Sequence, residues 1–109
     1  MSRIEEELKL SADRFIVDLQ SKYINEVEFS RVDEFARELA TAWKMQSMLP
    51  KETLRKIRSV IKACEAEAPY LPEKSDSILA KARKIELTFD LILYGEDHSD
   101  RVPGIPRII

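Results

Sequence analysis

Apolar side chains recur at steps of three and four in four separate stretches of this chain, and that spacing restricts what it can fold into. Ile4, Leu8, Ala12, Phe15, Ile16, Leu19 and Tyr23 make the first stripe. Val32, Phe35, Ala36, Leu39, Ala40 and Trp43 make the second, and Leu54, Ile57, Ile61, Cys64 and Ala68 the third. Ile78, Ala82, Ile85, Phe89 and Ile92 make the fourth. A turn of 3.6 residues gathers such positions on one side of a helix, and that side must be buried against another element. At 109 residues, the chain is expected to form a single helical domain spanning 1–109. A domain of this size buries enough surface for one core without metal or disulfide staples. The expected fold is all-α: a compact bundle of about four helices with an ordered non-helical C-terminal tail.

Local signals place the boundaries. The first helix is expected from about Arg3 to Tyr23, with Glu5, Glu6 and Glu7 opposing the positive end of its dipole. Asn25 to Phe29 breaks the stripe and reads as a short extended connection, with Ser30 as the next N-cap and Asp33 at the third helical position. Trp43, near the end of that second helix, reads as a core anchor. Pro50 fits the first turn of the third helix, which stops before Pro69, and Pro69-Tyr-Leu-Pro72 makes a stiff connector. The fourth helix starts near Ser75 or Asp76 and ends with Gly95 in a left-handed cap.

One stretch fits two templates. Ile85-Glu-Leu-Thr-Phe-Asp-Leu91 alternates strictly, as a half-buried strand does. Helix is preferred because Ile78 and Ala82 extend the stripe upstream with no turn signal between. The alternative is an α+β fold with 85–93 as a strand. As a helix, the segment has Leu87 and Leu91 off its main stripe, giving either a central helix or an exposed apolar patch that a homodimer would bury. Beyond it, Val102-Pro-Gly-Ile105 suits a type II turn, and the last residues are expected to dock on the body of the domain.

Several classes are disfavoured. A single cysteine, Cys64, permits no internal disulfide and suits a reducing cytoplasm. The N-terminus shows no secretory h-region, and no run approaches the length of a membrane span, so a cytoplasmic protein is expected. Asp97-His-Ser-Asp100 invites comparison with a catalytic triad or a metal site, but neighbours in one loop rarely converge that way, and the segment reads as a solvated turn. Cys64 lies on a core stripe and reads as an inert thiol. With no phosphate-cradling Gly-rich loop either, no catalytic residue, metal or cofactor is expected, and the chain is expected not to be an enzyme.

What remains is charge, which is distributed unevenly. Residues 1–40 carry 6 basic and 10 acidic side chains, whereas 41–74 carry 7 and 4. The basic set Lys51, Arg55, Arg58 and Lys62 falls on one face of the third helix and offers a nucleic-acid contact, although an ordinary solvated face, or one paired with the acidic first third, is the preferred reading. The acidic set Glu26, Glu28, Asp33, Glu34 and Glu38 gathers around the second helix start and offers a contact for a basic protein. The surrounding stretch, Asp18-Leu-Gln-Ser-Lys-Tyr-Ile-Asn-Glu-Val-Glu-Phe-Ser30, resembles the colicin D-type immunity pattern, in which a first helix leads through a polar turn into Glu-Phe and a second helix. That resemblance covers about a dozen residues and leaves the Asp97–Ile109 tail outside it. It implies one of the small bacterial immunity proteins of the colicin and contact-dependent inhibition systems. Such a protein neutralises a cognate nuclease toxin by occluding its basic cleft, here with Glu26, Glu28, Asp33, Glu34 and Glu38. The competing expectations are a nucleic-acid-associated regulator using the basic face, and a dimeric scaffold subunit.

Overall fold

The computed structural model describes residues 2–100. Four helices account for most of them: α1 (Arg3–Gln20), α2 (Glu26–Ala42), α3 (Lys51–Glu67) and α4 (Ser75–Leu93). Short 3₁₀ turns follow at Ala68–Tyr70, Pro72–Lys74 and His98–Asp100. No strand occurs among the described residues, and 85–93 is helical throughout. The expected Val102–Ile105 turn and docked tail lie outside the described residues.

α1 and α2 form one helical hairpin and α3 and α4 a second, stacked with α1 on α3 and α2 on α4. Stacked helices run in the same direction. Lys9 meets Glu52, Asp13 meets Lys56 and Lys22 meets Glu67 across α1 and α3, while Glu26 meets Lys81 and Asp33 meets Lys84 across α2 and α4. The shortest dimension, 19 Å, is about that of two helix layers.

The four stripes meet between the layers. Leu8, Ala12, Phe15 and Leu19 from α1 pack with Val32, Ala36, Leu39 and Ala40 from α2. Ile57, Ile61 and Cys64 from α3 and Ile78, Ala82 and Ile85 from α4 join the same cluster. Val60, absent from the expected stripe, is fully buried as well. Phe15 and Phe29 pack as tilted rings 5.5 Å apart. Full burial of a side chain of this size contributes about 1.5–3 kcal/mol, so the cluster is what holds the helices together. Trp43 is buried at the C-terminal end of α2, as its position suggests.

Three boundaries depart from expectation, each for a local reason. α1 is closed at its start by a reciprocal capping box between Ser2 and Glu5, and it ends at Gln20 rather than Tyr23. Lys22 then takes a φ of 68°, which turns the chain and leaves Tyr23 60% exposed instead of inward. α2 begins at Glu26, five residues before the Arg31 start that Ser30 as N-cap suggests. Asn25 is the N-cap, its side-chain oxygen accepting from the Glu28 N–H at 3.1 Å, so 26–29 is helix and not an extended connection. Pro50 sits at the N-cap of α3, one residue ahead of the first turn.

The end of α4 matches expectation closely. Gly95 has a φ of 72°, its N–H donates to the Ile92 carbonyl at 3.1 Å, and the Glu96 N–H donates to the Leu91 carbonyl at 2.8 Å. This is a Schellman cap, and it needs a residue tolerant of the left-handed region. The Gly95 carbonyl also accepts the Met45 N–H at 3.2 Å, tying this cap to the α2–α3 connection. Leu91 is fully buried, so the expected Leu87/Leu91 patch does not form; only Leu87 faces outward.

Candidate functional site

The five acidic residues around α2 do not make one surface. Glu28 is only 5% exposed, and its carboxylate sits between Arg14 at 3.4 Å and Arg31 at 3.0 Å. Asp33 is 8% exposed and meets Arg37 at 3.3 Å and Lys84 at 3.4 Å. Both therefore lock α2 to its neighbours. Glu26 is exposed but lies 3.0 Å from the Lys81 ammonium, which also rests over the Phe29 ring. Glu34 and Glu38, one turn apart, are exposed with no ion pair among the described residues. Heptad position explains the division: residues 28, 29, 32, 33 and 36 share the inward side of a helix that starts at 26, whereas 34 and 38 face away.

The basic side chains of α3 behave differently. Lys62 pairs with Glu65 on its own helix at 3.6 Å, and Arg58 reaches Glu86 of α4 at 3.6 Å. Lys51 and Arg55 are exposed and form no ion pair with any described residue. The only α3 cation that crosses to the acidic first third is Lys56, 2.7 Å from Asp13. Lys51, Arg55 and Arg58 instead rim a shallow groove of about 290 Å³ between α3 and α4, with Leu54 and Phe89 as its floor. Both floor residues are half-buried and packed against the core. Leu93, four residues beyond Phe89 on the same side of α4, is 56% exposed. Met48, in the connection that leads into α3, is 87% exposed. Cationic and apolar surface thus meet on one face, which is the arrangement of a contact patch with a charged rim.

That groove was only half visible in the sequence. The cations at 51, 55 and 58 show a helical spacing, but Phe89 belongs to the inward stripe of α4, where it is expected to be buried. Phe89 lies in the last turn and a half of α4, shares the groove with Leu54 and Arg55 of α3, and is only partly buried there.

The Asp97–Asp100 segment is not the solvated turn that its composition suggests. Asp97 is buried, accepting from the Ser99 N–H at 3.0 Å, the Ser99 hydroxyl and the Thr41 hydroxyl at 3.0 Å. These donors, the Ser99 hydroxyl first, outweigh burial and hold its pKa down to about 2. Asp100 accepts from the Asp97 N–H at 3.0 Å and from Lys44 at 3.0 Å, which lowers its pKa and raises that of Lys44. His98 Nε2 lies 2.8 Å from the Thr88 hydroxyl. The segment is a clasp that fastens the end of α4 to α2.

Two further groups are structural by their surroundings. Burial of the Cys64 thiol pushes its pKa up to about 11, which suppresses the nucleophilic thiolate. Burial works against ionised Glu5, but bonds from Thr53 at 2.7 Å and from Ser2 keep its carboxyl below the ordinary range. Among the described residues, no three His, Cys, Asp or Glu side chains gather as a metal site requires. No described helix is long and apolar enough to cross a membrane. Compared with protein-family models, curated proteins and solved structures, the chain matches none.

Proposed function

We propose that this chain is a protein-binding domain that holds its partner on the α3–α4 face, in a reducing cytoplasm that the lone thiol of Cys64 suits. The observation that carries this reading is the groove. Lys51 and Arg55 stand without ion partners among the described residues beside half-buried Leu54 and Phe89, with Leu93 exposed one turn on. Covering the apolar floor supplies binding free energy, and the unpaired cations add encounter rate and selectivity. The apolar floor favours protein over nucleic acid, since phosphate contacts gain nothing from Leu54 or Leu93.

A second reading has its own observation. Exposed Glu34 and Glu38 are the acidic residues of α2 left without an ion pair among the described residues, and two carboxylates one turn apart suit a basic cleft. Neutralisation of a nuclease toxin, the role implied by the immunity-protein resemblance, would then rest on these two and not on Glu28 or Asp33.

A photo-crosslinking amino acid placed at Phe89, and separately at Glu38, distinguishes the two in cells that produce the chain. The groove reading expects one identified protein adduct from position 89, abolished by adding Lys51→Glu and Arg55→Glu. An adduct from position 38 alone would transfer the function to the acidic pair. Crosslinking of position 89 to nucleic acid would overturn the protein-binding reading.

A further inference from the structure

We infer that the occupant of the α3–α4 groove is an acidic amphipathic helix of a partner protein, lying along α3 with its carboxylates against Lys51, Arg55 and Arg58. The inference rests on the protein-binding reading above and adds the chemical form of the partner.

Three features of the groove define that form. The cations recur at 51, 55 and 58, steps of four and three, so they form a straight row along one side of α3. From 51 to 58 the row is about 10 Å long, two helical turns. Carboxylates at the same four–three spacing on a second helix would face all three cations at once. An extended strand, whose side chains on one face repeat about every 7 Å, would match fewer.

The floor adds a second requirement. Leu54 lies between the cations in sequence and shares the groove with Phe89, while Leu93 continues the apolar line toward the end of the bundle. A partner helix therefore needs apolar side chains at i, i+3 or i+4, and i+7, adjoining its acidic edge, which is the usual way a helix is read by a groove. The two rims are also unequal. Arg58 is already engaged by Glu86 of α4 at 3.6 Å, so Lys51 and Arg55 on the α3 side carry the positive charge without an ion pair among the described residues. This asymmetry fixes which flank of the incoming helix carries its acids.

The test is a titration of the full, ¹⁵N-labelled chain with a synthetic peptide of about 16 residues, near the length at which isolated helices become marginal and so fold on binding. The peptide carries leucines at i, i+4 and i+7 and glutamates in a four–three row along one flank. The expected result is saturable movement of the amide signals of Lys51, Leu54, Arg55, Phe89 and Leu93, with a gain of peptide helicity. Joint Lys51→Glu and Arg55→Glu substitution is expected to weaken binding about tenfold, as loss of two exposed ion pairs with the added like-charge repulsion would. A scrambled peptide of the same composition is expected to bind at least about tenfold more weakly, since it keeps the charge and loses the apolar line.

Equal binding of the scrambled peptide would overturn the inference, because the groove would then read charge and not a helix. Displacement of the peptide by single-stranded RNA at similar concentration would overturn it in favour of a phosphate backbone. Self-association of the chain in sedimentation, lost with Leu93→Asp, would assign the groove to a second copy. No shift at these amides would also overturn it. The broader protein-binding reading would then stand or fall on the crosslink from position 89.

Discussion

The α2 face and the α3 face carry similar numbers of charged residues in helical register, yet the bundle treats them in opposite ways. On α2, Glu28 and Asp33 are turned inward and matched by Arg14, Arg31, Arg37 and Lys84. On α3, Lys51 and Arg55 point outward, with no ion pair among the described residues, beside Leu54 and Phe89. A charged cluster in a sequence is therefore a poor guide to surface potential until the helix phase is known. Carboxylates on the inward phase act as fasteners, whereas cations on the outward phase remain available to a partner.

The largest expected effect breaks this contrast directly. Asp33→Lys places a cation at a buried position already facing Arg37 and Lys84, and it should destabilise the domain by about 3 kcal/mol in urea unfolding. Lys51→Glu with Arg55→Glu should change stability by less than about 0.5 kcal/mol, as substitutions on an open surface do. Equal costs for the two changes would remove the distinction between fastener and contact.

The next effect sharpens the start of α2. Asn25→Ala should cost about 1 kcal/mol because the Glu28 N–H loses its cap, whereas Ser30→Ala, inside the helix, should stay within about 0.5 kcal/mol. Gly95→Ala should cost a similar amount, about 1 kcal/mol, through its φ of 72°. A Cβ there meets the Met45 backbone at 3.4 Å, ordinary contact, so backbone conformation is the main cost.

Much of the fold was readable from the chain because burial and helical period coincide in Leu8–Leu19, Ile57–Cys64 and Ile78–Ile85. The strand alternative for 85–93 arose because Ile85, Leu87, Phe89 and Leu91 satisfy both periods. The helix prevails because Ile78, Ala82, Ile85 and Ile92 share one buried side. The start of α2 differs from expectation because Ser30 is as good a cap by type as Asn25, whereas the inward stripe Val32, Ala36, Leu39, Ala40 and Trp43 is buried as expected. Reading 25–29 as an extended connection makes Glu28 look like surface, and makes Asp33 a cap residue and not the partner of Arg37 and Lys84. The floor of the groove was hidden for a different reason: no local pattern reveals where the bundle leaves a stripe residue such as Phe89 uncovered.

A smaller effect concerns the clasp at 97–100. The Asp97 pKa is lowered from 3.8 to about 2, so its contribution is complete above 3.8 and is lost as pH falls toward about 2. Asp100 and Glu5 are shifted the same way and reinforce the trend. Melting temperature should therefore drop through this window, and Asp97→Asn should flatten that drop while lowering stability at neutral pH. The smallest perturbation is chemical. Cys64, with its pKa near 11, should react with a thiol reagent at pH 8 only as fast as the domain unfolds, which a labelling time course against urea concentration would show.

The central claim is that the α3–α4 groove, and not the acidic α2 face, receives the partner. Its most direct measurement is the affinity of the crosslinked protein for two double variants that preserve the fold, Lys51→Glu/Arg55→Glu and Glu34→Lys/Glu38→Lys. A loss of about tenfold or more for the first, with less than about twofold for the second, is the predicted result. The reverse ordering would contradict it and place the contact on Glu34 and Glu38 of α2.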